Sequence, residues 1–293
     1  MPTVEQNLLL WGNADGWKDD GDKWSINWGS TELEWSTSIF PRIRQFIPAS
    51  TILEIAPGFG RWTQFLKGFC DQLIAVDVSP ACTERCKERF ASDPQVRCFA
   101  NDGKSLPMVT DGSVDFAFSF DSLVHVEADV IAAYLRELAR KLKPGGHAFL
   151  HHSNLGAFRN SVWLPKAIGR QQPIGADGGK LAPMSRGLWM RRRLQSKLTD
   201  WGLVNTFDNR AESTCAKVFR ESCDAAGLEC VSQELVNWNH GPSLIDCFSV
   251  VRRRNENGNS GKPTRVIKNH HFMEEAEHAR RIAELYRSDP TQG

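Results

Sequence analysis

Short apolar runs alternate with amphipathic stretches through the middle of the chain, and that rhythm predicts strands separated by helices. Ile52, Leu53 and Ile55 are the apolar core of a strand covered on both faces, Gly58 and Gly60 allow a tight turn after it, and residues 61–67 continue as a helix. The strand signal returns at residues 72–77, 94–102, 114–120 and 147–152, with a helix at 129–142 stopped by Lys143-Pro-Gly-Gly146. A helix at 214–226 and two strands at 228–236 and 245–252 complete the pattern, the last two arranged as an antiparallel hairpin. The prediction is an α/β, doubly wound, mainly parallel seven-stranded sheet.

The flanks break this rhythm. Residues 1–35 show little helical period yet carry half of the ten tryptophans, at Trp11, Trp17, Trp24, Trp28 and Trp35. Their indoles either pin an N-terminal arm on the core or close over a ligand. Residues 36–254 hold the alternating domain. It is interrupted at about 155–209 by a segment containing Pro165, Pro173, Gly175, Gly178, Gly179 and Pro183, too long and too broken for a plain connection. This is the candidate substrate-recognition insert, and its Arg191-Arg-Arg193 run reads as a solvated helix face or as a contact for an anionic group. Within 255–293, residues 255–262 have the composition of a flexible linker. Residues 272–286 form an amphipathic helix with Phe272, Ala276, Ala279, Ala283 and Tyr286 on one face, suited to docking on its own core or on a second copy in a homodimer.

Charge narrows the partners. Lysine and arginine number 36 against 35 acidic residues, a net +1, which argues against nucleic acid or a membrane surface. No basic leader or membrane-length apolar run is visible, and the eight cysteines, none in a Cys-x-x-Cys pair, read as reduced thiols. The expectation is a cytoplasmic protein acting on a small-molecule or oligosaccharide acceptor.

The chemistry gathers at the ends of the strands. Asp77 closes the second strand, where nucleotide-binding folds place a carboxylate on ribose hydroxyls, and Asn101 and Asp102 close the third. In an open parallel sheet these ends share one crevice. Thr63 stands where a dinucleotide fingerprint wants its third glycine, which disfavours a pyrophosphate ligand. The run Leu53-Glu54-Ile55-Ala56-Pro57-Gly58-Phe59-Gly60 instead resembles the first motif of class I, Rossmann-like S-adenosylmethionine-dependent methyltransferases, with Ala56 where that family usually has glycine. The resemblance covers about residues 52–153. It implies Glu54, Ala56, Gly58, Gly60 and Arg61 around the methionine part of the cofactor, Asp77 on the ribose, and Asn101, Asp102 and Gly103 near the adenine.

Methyl transfer to an alcohol needs alignment and a group that removes the hydroxyl proton. The fourth and fifth strand ends offer Asp121, His125, His151 and His152, and strand alternation lets only one of His151 and His152 face the crevice. Asp121 could orient a histidine or help hold a divalent metal such as Mg2+. His240, in the hairpin loop, reads as a turn residue. His151-His152-Ser153-Asn154, the glycine turn, the tryptophan-rich start and the broken insert are together similar to bacterial, including mycobacterial, methyltransferases that modify sugar hydroxyls, as in methylmannose polysaccharide synthesis. That resemblance implies a sugar O-methyltransferase with His152 or His125 as base. A methyltransferase of nitrogen or of a small natural product, and a non-catalytic cofactor-binding module, stay open beside it.

Overall fold

Alternation of apolar residues on both faces of the central strands builds a sheet sandwiched between two hydrophobic layers. The computed structural model describes residues 4–11, 17–158, 210–238, 241–255 and 263–286. The N-terminal segment gives α1 (Val4–Trp11), a 3-10 turn (Lys18–Ser25) and a helical run made of α2 (Thr31–Glu34), a π turn (Trp35–Ile39) and α3 (Phe40–Ile43). Ser30 caps that run by accepting a hydrogen bond from the Leu33 N–H. Then come β1 (Ala49–Ile55), α4 (Thr63–Leu66), β2 (Cys70–Asp77), α5 (Pro80–Arg89), β3 (Val96–Ala100), β4 (Val114–Ser119), α6 (Ala128–Lys141) and β5 (Leu142–Ser153). After the insert the chain forms α7 (Ala216–Ala225), β6 (Leu228–Val236), β7 (Asp246–Arg253), β8 (Arg265–Asn269) and α8 (Phe272–Leu285).

The strand order is β3-β2-β1-β4-β5-β7-β6-β8. Strands β3, β2, β1, β4 and β5 are mutually parallel, and β7 runs antiparallel between β5 and β6. The expected doubly wound sheet is present, with an eighth strand that the sequence reading left unassigned: β8 pairs in parallel with β6. Its Arg265-Val-Ile-Lys-Asn sequence is exposed at the sheet edge, so it lacks the apolar signature of a buried strand. The helix expected at 61–67 is shorter, because the glycine turn continues through Trp62 before α4 begins. Lys143-Pro-Gly-Gly146 does not stop before the strand but forms its first residues.

One face of the sheet packs Leu53, Ile55, Val76 and Ala117 against Leu135 and Leu138 of α6 and Phe219 of α7. The other packs Ile52, Phe116, Phe118 and Phe149 against Trp28, Trp35, Ile39 and Ile43 and against Phe272 and Met273 of α8. Trp28 and Trp35 therefore do pin the N-terminal segment to the core. The buried side of α8 is Phe272, Met273 and Ala276, while Tyr286, expected on that face, is 82% exposed beyond the last turn. The insert from 159 to 209 with its arginine run, residues 256–262 of the linker, and His240 lie outside the described residues.

Candidate active site

At the carboxyl end of β1 the chain must reverse beside its neighbours, and the sequence meets this with three left-handed residues, Ala56 (φ 57°), Gly58 (φ 60°) and Gly60 (φ 86°). A Cβ on Gly60 would come within 2.4 Å of Phe90, and one on Gly58 within 2.1 Å of the Trp17 ring. Trp17 stacks on Phe59 with centroids 4.9 Å apart. The missing side chain at Gly58 thus leaves room for a tryptophan of the N-terminal segment as well as for close approach to the backbone.

Asp77, at the end of β2, ties this turn to the next one. Its carboxylate accepts the Gly58 N–H at 3.0 Å and the Ser79 N–H at 2.8 Å. Burial pushes its carboxyl upward, against the lowering effect of those backbone bonds. Glu54 braces the turn from inside: Thr63 donates to its Oε2 at 2.6 Å, and burial pushes the carboxyl up to about 8. Asn101 shapes the loop after β3 by donating to the Ser105 carbonyl and the Tyr134 hydroxyl and accepting from the Gly103 N–H. Asp102 is exposed and accepts the Lys104 and Ser105 N–H groups, which hold its carboxyl below the usual range.

A cavity of about 560 Å³ opens over these strand ends. Along the sheet its wall runs from Asp77 and Gly103 on the β2–β3 side, past Ala56 and Gly58 after β1, to Phe120 and Asp121 after β4. Trp238 follows β6, and Trp11, Trp17 and Trp24 also line it. The expected site residues therefore divide. Ala56, Gly58, Arg61, Asp77, Gly103, Asp121 and His125 line the cavity; Glu54, Gly60, Asn101 and Asp102 do not, and act on the turns behind it. Sequence reasoning missed Trp238 and Arg210, which a motif-centred reading has no means to place because they follow β6 and the insert.

Asp121 sits just past β4 in a left-handed conformation (φ 57°) that a non-glycine residue adopts only when its surroundings hold it there. The hold is visible. Arg61 Nη2 donates to Asp121 Oδ2 at 2.9 Å, and the Asp121 N–H donates to His151 Nδ1 at 3.1 Å. Because Nδ1 accepts, the ring proton of His151 is on Nε2, which faces Asp246 Oδ2 at 3.2 Å. Arg210 completes the arrangement, with Nε and Nη2 each 2.6 Å from an Asp246 oxygen. His151, expected among the catalytic candidates, is fully buried between Asp121 and Asp246 and lies outside the cavity lining.

His152, also expected among the catalytic candidates, lies away from the cavity lining. Strand alternation turns it to the opposite face, where its ring stacks on Phe219 of α7 at 4.1 Å and its nitrogens bond Ser153 O and Ser249 Oγ. It has no path to the crevice. Burial pushes its pKa down from 6.5 to about 4. A group depressed in this way stabilises the fold fully above about 6.5, and the unfolded chain takes up its proton first as pH falls, so stability is lost between about 6.5 and 4. That change corresponds to about 3 kcal/mol. The expected outcome for His152→Gln is unchanged turnover and a denaturant midpoint that varies less with pH over that window; a large drop in turnover with intact folding would return His152 to the chemistry.

His125, at the end of the 3-10 turn Leu123–His125, is the one expected histidine on the cavity wall. Its carbonyl accepts from Asn7 Nδ2 at 3.1 Å, and its ring lies 5.0 Å from that of Trp11. Among the described residues no group of three or more His, Cys, Asp or Glu side chains is placed to hold a metal ion, so the expected Mg2+ has no described ligand set. No described helix is long and apolar enough to cross a membrane.

Residues 52–146 match the family model described as a methyltransferase domain. No curated protein matches the sequence. An S-adenosylmethionine-dependent methyltransferase from Methanosarcina mazei is 16% identical and superposes with a TM-score of 0.51 over 74% of this chain and 99% of its own. PKMT2 from Rickettsia typhi, in complex with AdoHcy, is 14% identical with a TM-score of 0.51 over 72% of this chain and 50% of its own. These likenesses concern the fold. The strand order and the glycine turn at the strand ends are those of the Rossmann-like class I methyltransferase fold, and residues 52–146, about a third of the chain, are the part similar to a methyltransferase domain. The left-handed Ala56, the Cβ-free turn at Gly58 and the buried Asp77 carboxyl around a cavity of ligand size fit S-adenosylmethionine.

Proposed function

We propose that this chain transfers a methyl group from S-adenosylmethionine to a hydroxyl of a sugar or glycoside. The observation that carries the reading is the composition of the cavity beyond the glycine turn, where Trp24, Trp62, Phe120 and Trp238 supply flat apolar surface and Asp121 and Arg210 supply polar groups. Aromatic faces cover the apolar faces of sugar rings, and a few charged groups fix their orientation. When bound, the cofactor supplies a sulfonium methyl that needs no further activation.

The chain's own residues then align the acceptor and take its proton. Asp121, held by Arg61 and by His151 through its own N–H, fixes the wall where the acceptor oxygen lies. His125 is the base in this reading, in place of His152, since it stands on the cavity wall and His152 does not. Removing a general base costs on the order of 10²–10⁴ in rate. His125→Ala is therefore expected to keep cofactor binding by calorimetry and to lose turnover by that factor with a panel of methyl hexosides. Undiminished rates would end the histidine-base reading, and turnover of amines without turnover of any hexoside would end the O-methylation reading.

A further inference from the structure

On the cavity wall, two residues that carry a Cβ are left-handed, Ala56 after β1 and Asp121 after β4, each with φ 57°. That backbone brings Cβ against the following carbonyl oxygen, so it persists only where the surroundings hold it. Asp121 has its hold in Arg61 and His151. Ala56 has no polar side chain of its own, and Pro57 after it has no N–H with which to brace the turn. The grip on Ala56 must come from outside, through its backbone.

Two hydrogen bonds supply it, one on each side of the Cα. The Ala56 N–H donates to the Val76 carbonyl of β2 at 2.8 Å, and the Ala56 carbonyl accepts the Ser122 hydroxyl at 3.0 Å. The first continues the pairing of β1 with β2 and is open to any residue with an N–H; the second depends on one side chain. The Ser122 hydroxyl also lies 3.3 Å from the Phe120 carbonyl, which is long for an O–H donor, so its single proton belongs with Ala56. Ser122 is itself fixed, since its carbonyl accepts the His125 N–H at 3.1 Å where the 3-10 turn begins. It stands 66 residues along the chain from Ala56 and next to Asp121, whose carboxylate takes Arg61 from the far end of the glycine turn. The turns after β1 and β4 are therefore tied twice, at Ala56 and at Arg61.

We infer that Ser122 is a positioning residue for the cofactor: its hydroxyl keeps Ala56, and with it the turn leading to Gly58, in the form that S-adenosylmethionine meets on binding. Glycine at position 56 would not need this hold, because it takes a positive φ without the Cβ contact. Ser122 and Ala56 thus act as a pair, whatever the methyl acceptor is.

The test is calorimetric titration of S-adenosylhomocysteine into four full-length proteins, namely wild type, Ser122→Ala, Ala56→Gly and the double variant, with a urea midpoint measured for each. Ser122→Ala is expected to bind about 5-fold more weakly, the equivalent of one ordinary hydrogen bond lost from the preformed turn. Ala56→Gly is expected to bind within about 2-fold of wild type, and adding Ser122→Ala to it is expected to cost less than about 2-fold more. A loss from Ser122→Ala that is as large in the Ala56→Gly background as in wild type overturns the inference, because the hydroxyl then serves the cofactor directly. Wild-type affinity in Ser122→Ala overturns it as well, whatever the midpoint does, since a bond that matters only to stability positions nothing.

Discussion

Asp77→Ala is expected to weaken S-adenosylmethionine binding by at least about 100-fold, because it removes the group that joins the two turns flanking the cavity. The carboxylate holds the Gly58 N–H and the Ser79 N–H at once, and bonds to a charged acceptor are worth about 1.5–3 kcal/mol each. Without it both N–H groups are left in a buried turn, and Gly58 loses the anchor that keeps its left-handed conformation. Asp77→Asn, which keeps one acceptor oxygen, is expected to fall between wild type and alanine. Calorimetric titration with the cofactor checks the series, and wild-type affinity in the alanine variant would remove Asp77 from the cofactor site.

Asp246→Ala is expected to destabilise the protein by about 3–5 kcal/mol, the cost of breaking a buried ion pair from one side. Arg210 and Asp246 are 7% and 0% exposed, and the Asp246 carboxylate takes two guanidinium hydrogen bonds besides facing His151 Nε2. Alanine leaves a buried guanidinium with no counter-charge and frees the histidine that holds the Asp121 backbone. The loss in melting temperature is on the order of 10 °C for a domain of this size. Acid acts on the same pair. Burial opposes ionisation of Asp246, but Arg210 and His151 outweigh it and hold the carboxyl well below its ordinary 3.8, so the pair's contribution is present above that value and is lost as pH falls further. Thermal unfolding of wild type, Asp246→Ala and Asp246→Asn measures the effect; an unchanged midpoint in the alanine variant would show the pair to be energetically neutral. Turnover is expected to fall with stability because Arg210 also lines the cavity.

Much of this arrangement is legible in the sequence. The apolar runs from Ile52 to Ile55 and from residue 72 to 77 could be read as buried strands, since a strand covered on both faces has no polar side to disguise it. Gly58 and Gly60 announced the turn because few other residues tolerate its backbone, and Asp77 could be placed by its position after a strand. Strand β8 was hidden because it sits at the exposed edge of the sheet, where polar residues are stable and no apolar pattern is required.

The chain by itself determined the alternating α/β order, the turn that faces the cofactor, and the set of groups at the strand ends, because each follows from local periodicity or from backbone geometry. Only the tertiary structure decided which of those groups meet. His151 and His152 are adjacent in sequence, yet alternation sends one toward Asp121 and Asp246 and the other against Phe219. Arg210 and Trp238 carry no motif, and they matter because the fold brings them to the cavity wall with Arg61 and Asp121 from distant parts of the chain. Their roles arise from long-range packing and desolvation, which no local pattern of residues encodes.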